Sequence, residues 1–229
     1  MSIAMDLAVL PSILIMIYIY KKDHIEKEPI RMILRLVFGG VFSALPALSM
    51  EGLGTNLQDI FMVPGTTPYN LISSFVVVAF SEELVKFIFL YCISWRSYHF
   101  NCMFDAVVYA VCASLGFATL ENIFYVLENG LGVAIMRAIT SVPGHTMFAI
   151  FMGINYGKAK VYAEYSSDNK WLLHATNAVI VPTLIHGFYD FCLFQGTGAY
   201  VIVFCIFLIL LYIAAFRTVN KYSKSDMHI

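Results

Sequence analysis

Residues 199–216 read AYVIVFCIFLILLYIAAF, an apolar run without one charged side chain. A helix of about 20 such residues crosses the roughly 30 Å hydrocarbon core of a bilayer. Six similar stretches precede it, and the seven predicted spans are 3–20, 33–50, 70–94, 103–127, 134–157, 171–195 and 199–216. The second is the weakest, because Gly39, Gly40 and Pro46 interrupt it and favour a kink or a re-entrant segment.

The composition of the whole chain is that of an integral membrane protein. Of its 229 residues, 60% are hydrophobic and 13% are charged, whereas about 25% of the residues of a soluble domain are charged. A net charge of −1 disfavours nucleic-acid binding, and the five cysteines lack the CxxC spacing of a metal or redox site. We predict an all-α fold: a single domain over residues 1–229, built as a polytopic bundle of about seven transmembrane helices.

The positions of Lys and Arg predict how the bundle is oriented. Twelve of the 14 basic residues lie on or beside alternate connections and in the C-terminal tail, whereas the connections 51–69, 128–133 and 196–198 contain none. Basic residues accumulate on the cytoplasmic side of membrane proteins. The sequence therefore predicts an N-terminus outside the cell and a C-terminus in the cytoplasm.

Ionisable side chains inside the predicted spans are the candidate functional residues. Five of them share a depth between the mid-plane and the outer leaflet: Glu82, Glu83, Glu121, His145 and His186. Helical spacing and neighbouring positions add Lys86, Asn122 and Asp190 as supporting residues. Because such groups are expensive in hydrocarbon and usually functional, we expect them to meet in one polar cavity.

Two adjacent carboxylates with a lysine one turn away suit hydrolysis. Lys86 offsets one charge, and the remaining carboxylate of Glu82 or Glu83 can act as a general base towards water. Histidines across the cavity would donate to a developing oxyanion or pass the proton to the leaving amine. We expect metal-free hydrolysis of a peptide bond, with no cofactor.

Two alternatives stay open. His145, His186 and an acidic residue would supply the three ligands of a catalytic zinc ion, although no HExxH motif is present. A proton- or ion-coupled transporter would also need buried Glu, Lys and His side chains, but it would extend polar residues through both leaflets. The inner half of the predicted bundle is poor in polar residues apart from Asp105.

The order of these blocks resembles the PrsW family of bacterial intramembrane proteases. The matching blocks are Asp23-x-x-Glu26-Lys27-Glu28-Pro29, Glu82-Glu83-x-x-Lys86, Asp105…Tyr109-Ala110…Gly116-Phe117-x-x-x-Glu121-Asn122, Arg137…Pro143-x-His145 and His186-x-x-x-Asp190. The type II CAAX prenyl endopeptidases are related, with the pattern EExxxR, FxxxH and HxxxN. Lys86, Glu121 and Asp190 depart from that pattern, so prenylated substrates are not expected.

The resemblance implies a multi-pass protease of the bacterial cell membrane. It would make the first, extracytoplasmic-side cut in a single-span membrane-anchored anti-sigma factor, which leads to release of a sigma factor under envelope stress. The partners would be that substrate and the lipid bilayer, with no nucleic acid. The family has also been described as metalloproteases, so the zinc alternative stays open here as well.

The resemblance also implies residue roles. Glu82 and Glu83 would be the base and its partner, Glu121 and His186 would complete the hydrolytic centre, and His145 would be a further member. Lys86, Asn122 and Asp190 would orient the centre, whereas Asp105 and Arg137 are interpreted as structural. The block 23–29 would have a folding or regulatory role, and the connection 51–69 is predicted to cover the cavity mouth.

Overall fold

The computed structural model describes residues 3–166 and 168–229. The helices are α1 Ile3–Lys22, α2 Ile30–Phe61, α3 Thr67–Ile72, a π-helical segment Ser73–Phe80, α4 Ser81–Ser94, α5 Asp105–Asn129, α6 Leu131–Ile139, α7 Ser141–Tyr165, α8 Lys170–Gln195 and α9 Gly198–Lys224. The described part of the chain adds one isolated antiparallel bridge, between Cys102 and His228.

Six helical stretches among the described residues are long and apolar enough to cross a membrane: α1, α2, α5, α6 together with α7, α8 and α9. The predicted span 70–94 is divided among α3, the π-helical segment and α4, which follow one another without a break. The prediction of an all-α polytopic membrane bundle is confirmed. The orientation of the termini stays a prediction.

The predicted weak span is an uninterrupted helix. α2 continues from Ile30 to Phe61 with Pro46 inside it, so the re-entrant alternative is wrong. Gly40 lies so close to α5 that a Cβ there would overlap the carbonyl oxygen of Ala113, and Gly116 of α5 meets Val37 in the same way. These glycines therefore serve a close helix crossing, as small residues commonly do in membranes.

α5 is the central helix of the bundle. Every residue from Asp105 to Ala118 is buried, and the helix packs against α1, α2 and α7. On α7, a Cβ at Gly153 would lie 2.6 Å from the Cα of Val107, so this crossing also depends on a small residue. By contrast, α1 and α9 expose many large apolar side chains, as helices facing lipid do.

Two irregularities position the functional side chains. The π-helical segment ends at Phe80, two residues before Glu82, and π-helical turns are frequent at functional sites. The predicted span 134–157 is divided at Thr140 into α6 and α7. His145 lies in the first two turns of α7.

Candidate active site

The paired carboxylates lie at the first turn of α4, where Lys86 contacts both. The Nζ atom of Lys86 lies 2.8 Å from Oε2 of Glu82 and 2.8 Å from Oε1 of Glu83. Lys86 is 1% exposed and Glu83 is 0% exposed, so this is a fully buried ion pair. Glu83 and Glu82 precede Lys86 by three and four residues on the same helix face, so both contacts form within about one helical turn.

His145 of α7 connects Lys86 to the next carboxylate. Its Nδ1 atom lies 3.2 Å from the Lys86 Nζ, and its Nε2 atom lies 2.9 Å from Oε2 of Glu121. Because an ammonium group only donates, Nδ1 accepts this bond, which leaves the ring proton on Nε2. His145 therefore donates to Glu121 as the neutral Nε2–H tautomer.

Glu121 is also paired with Arg137 of α6. The Nη2 atom of Arg137 lies 2.9 Å from Oε1 of Glu121, and its Nε–H donates to Oδ1 of Asn122 at 2.6 Å. The guanidinium also lies over the ring of Tyr125, 4.0 Å from the centroid. Arg137, interpreted from the sequence as structural, thus contacts a candidate catalytic carboxylate.

His186 of α8 closes the set from the other side. Its Nδ1 atom lies 3.0 Å from Oε1 of Glu83, and its Nε2 atom lies 3.2 Å from Oδ2 of Asp190. The ring stacks on Phe148, with the centroids 4.5 Å apart. Both nitrogens face carboxylates, and an imidazole donates from both only as the imidazolium.

The structure brings together all eight residues singled out from the sequence. We call six of them the Glu–Lys–His cluster: Glu82, Glu83, Lys86, Glu121, His145 and His186. They come from four helices, and four of them border a cavity of about 420 Å³: Glu82, Glu121, His145 and His186. The carboxylate, guanidinium and imidazole side chains that line this cavity are those of Glu51, Glu82, Glu121, Arg137, His145, His186 and Asp190. Glu83 and Lys86 lie behind the wall, so Glu82 is the member of the pair that faces the cavity.

Glu51 is a cavity residue that the sequence reasoning missed. The apolar stretch ends at residue 50, so the sequence predicts that Glu51 lies in a connection rather than in a span. In the structure α2 continues to Phe61, which keeps Glu51 against the cavity. The signal in the sequence for this longer helix is a helical pattern that continues past the apolar run.

The connection 51–69 is not the open loop that the sequence predicts. Residues 51–61 belong to α2 and residues 67–69 begin α3. The two helices are joined by a hydrogen bond from Nε2 of Gln58 to the carbonyl oxygen of Tyr69, 2.7 Å long. Glu51 is the one residue of this stretch that borders the cavity, and the cover over the cavity mouth stays a prediction.

The other motif residues lie apart from the cavity. Asp105 begins α5, and Glu121 follows 16 residues later, a separation of about 24 Å along a helix that rises about 1.5 Å per residue. Asp23 and Glu28 are buried near Asp105. Burial raises the pKa of the Asp23 carboxyl to about 6 and that of Glu28 to about 7, so both hold a proton more firmly than in water.

Several side chains beside the cavity carry atoms of the kind that bind a catalytic metal ion. Ligand atoms of Glu82, Glu83 and His145 lie within 4.8 Å of one another, a spacing that suits a metal. However, the ammonium of Lys86 contacts the same three residues at 2.8, 2.8 and 3.2 Å. Both ring nitrogens of His145 and of His186 already face partners. As arranged, the residues do not fit a zinc ion, because Lys86 occupies its position.

The chain is similar to one family of proteins along most of its length. The model of the PrsW family intramembrane metalloprotease matches residues 28–215. Protease PrsW of Oceanobacillus iheyensis is 33% identical over 221 residues, which are 95% of this chain and 94% of the relative. Protease PrsW of Bacillus subtilis is 34% identical over 200 residues, 86% of this chain and 87% of the relative. No solved structure matches.

Proposed function

The chain belongs to the PrsW family and is an intramembrane peptidase with several spans in the bacterial membrane; from this premise we propose that Glu82 activates the hydrolytic water. The observation that carries the proposal is the position of Glu82. It borders the cavity, while Lys86 bonds its Oε2 atom from behind at 2.8 Å. A carboxylate held in this way can approach a water molecule without losing its counter-ion.

The proposed reaction uses groups of this chain alone. Glu82 takes one proton from a water molecule while the water oxygen attacks the carbonyl carbon of the substrate. When the C–N bond breaks, that proton passes to the leaving amine nitrogen. A positioned general base of this kind contributes about 10²–10⁴-fold to the rate.

Positive side chains in the same wall would stabilise the tetrahedral intermediate. Arg137 and His186 both border the cavity, so each can act on the negative charge that develops on the carbonyl oxygen. Glu121 fixes Arg137 from one side and His145 from the other. The second carboxylate, Glu83, lies between Lys86 and His186 and would orient both.

The cavity wall supports an apolar substrate chain. Between its charged groups the wall presents Leu48, Phe124, Leu193 and Phe194. This lining suits a segment of a membrane-spanning helix better than a charged peptide. We propose a single-span, membrane-anchored anti-sigma factor as the substrate, cut first on the extracytoplasmic side, which leads to sigma factor release in envelope stress.

The experiment places the purified protein in liposomes with such a single-span substrate and measures cleavage on gels. We expect Glu82→Gln to lose about 10²–10⁴-fold in rate. Glu128→Gln is the matched control, since Glu128 is exposed near the end of α5. Equal rates for wild type and Glu82→Gln would overturn the role of Glu82. A wild type that cuts other single-span proteins but not the anti-sigma factor would overturn the substrate.

A chelator arm of the same assay tests the zinc alternative. The contacts of Lys86 predict that a zinc chelator leaves the rate unchanged. Inhibition that Zn²⁺ reverses, and that Ca²⁺ or Mg²⁺ does not, would instead favour a metal-dependent mechanism. This result would leave the assignment as a peptidase intact.

A further inference from the structure

A second set of buried carboxylates lies far from the cavity. Asp23 and Glu28 belong to the connection between α1 and α2, and Asp105 begins α5. They are 0%, 3% and 1% exposed, and one oxygen of each lies within 4.8 Å of the others. We call these three residues the acidic cluster.

Neighbouring groups donate hydrogen bonds to only some of the carboxylate oxygens of the acidic cluster. Oδ2 of Asp105 accepts the backbone N–H groups of Asn101 and Cys102 at 3.0 and 2.7 Å. The Tyr109 hydroxyl donates to Oε2 of Glu28 at 2.6 Å. Both oxygens of Asp23 and Oδ1 of Asp105 are buried without a hydrogen-bond partner among the described residues. Acceptors of this kind are rare in folded proteins and call for an explanation.

The acidic cluster also has no cationic partner of its own among the described residues. Lys27 lies in the same connection, but its ammonium donates to the backbone oxygens of Tyr20 and Asp23. The ion pairs found in the described chain include none of the three carboxylates. Buried carboxylates are normally paired or coordinate a metal ion, because an uncompensated charge is costly to desolvate.

We propose that the acidic cluster binds one hard divalent cation, Ca²⁺ or Mg²⁺. Carboxylate oxygens are the ligands that these ions prefer, whereas zinc sites usually include imidazole or thiolate. Ligands that lie about 2.3–2.6 Å from a calcium ion are at most about 5 Å apart, and the three oxygens meet this condition. The unpartnered oxygens of Asp23 and Asp105 are the first ligands, and water completes the shell.

Such an ion would join three parts of the fold. It would tie the connection between α1 and α2 to the start of α5. The C-terminal tail is attached at the same place, because Asp226 accepts the backbone N–H of Phe104 at 2.8 Å and Met227 accepts that of Met103 at 3.0 Å. A metal requirement of this protein would therefore be structural and separate from peptide hydrolysis.

The test measures thermal unfolding of the full chain in detergent after metal ions have been stripped. CaCl₂ or MgCl₂ is then titrated, and we expect the Tm to rise by about 5 °C at saturation, because the ion binds the folded state alone. Asp23→Asn and Asp105→Asn should abolish the rise. Glu26→Gln removes an exposed charge from the same connection and should keep it. Glu83→Gln should also keep it, which separates this site from the cavity.

A second measurement keeps the test decisive if a variant folds poorly. Mn²⁺ serves as the probe, and electron paramagnetic resonance should count one bound ion per wild-type chain and none in Glu28→Gln. The proposal is overturned if neither Ca²⁺ nor Mg²⁺ raises the wild-type Tm. It is also overturned if Asp23→Asn and Asp105→Asn respond as wild type does. None of these outcomes depends on proteolytic activity.

Discussion

The Glu–Lys–His cluster and the acidic cluster lie at opposite ends of α5, and they differ in what balances their charge. Lys86 is bonded to both Glu82 and Glu83, and Arg137 is bonded to Glu121. The acidic cluster has three buried carboxylates and no such partner among the described residues. The Glu–Lys–His cluster therefore contains its own cations, whereas the acidic cluster depends on a cation from solution.

This difference explains why one cluster suits catalysis and the other suits stability. The ammonium of Lys86 belongs to the chain and bonds Glu82 at the cavity whatever ions are present. A site that needs a free cation is strong when the ion is bound and weak when it is absent. Substitutions should therefore act in opposite directions at the two clusters when divalent ions are removed.

The largest effect is expected from Lys86→Met. Removing the cation leaves Glu82 without its bonded ammonium and Glu83 with His186 alone, and breaking a buried pair costs about 3–5 kcal/mol. We expect a lower Tm in metal-free detergent and no measurable cleavage. Adding Glu83→Gln to the same chain should recover part of the lost stability, since it removes one of the two carboxylates that Lys86 bonds.

The matched control for this prediction is Lys170→Met. Lys170 pairs with Asp168 at 2.6 Å, but both side chains are exposed, so the Tm should stay where it is. If Lys86→Met were as stable as wild type, the ion pair would not hold the cavity wall. The internal cation of the Glu–Lys–His cluster would then not distinguish it from the acidic cluster in stability.

The sequence predicted the bundle and the meeting of the functional residues because the bilayer restricts both. Apolar runs must match the thickness of hydrocarbon, and charged groups such as Glu121 and His145 avoid lipid by facing one another. Hydropathy does not mark where a helix ends in the polar region. The apolar run therefore predicts a connection from residue 51, whereas α2 continues to Phe61 and includes Glu51.

Other features depend on contacts between distant parts of the chain. Arg137 of α6 contacts Glu121 of α5, which the position of Arg137 near a predicted span end does not indicate. The acidic cluster brings Asp23 next to Asp105 through the packing of α1 on α5. No local pattern of period 3.6 reports such a pairing.

A smaller effect of opposite sign is expected from Asp23→Asn. Without divalent ions, the substitution removes one of three mutually repelling buried carboxylates, and we expect the folded state to gain about 1 kcal/mol. At saturating Ca²⁺ the same variant should be less stable than wild type, because it has lost a ligand. Thermal unfolding with and without Ca²⁺ measures both signs, and a variant less stable in both conditions would contradict the prediction.

The smallest effect is expected from Glu51→Gln, which asks whether an unpaired carboxylate in the cavity matters. Glu51 borders the same cavity as Glu82, but among the described residues no ion pair or hydrogen bond holds it. A group without a fixed geometry contributes little to a transition state, so we expect kcat/KM to change by less than about fivefold. The loss in kcat/KM that Glu82→Gln shows in the same assay is the reference for this change. A loss of 100-fold or more in Glu51→Gln would make Glu51 the better candidate for the base, because the position of Glu82 would then no longer distinguish it.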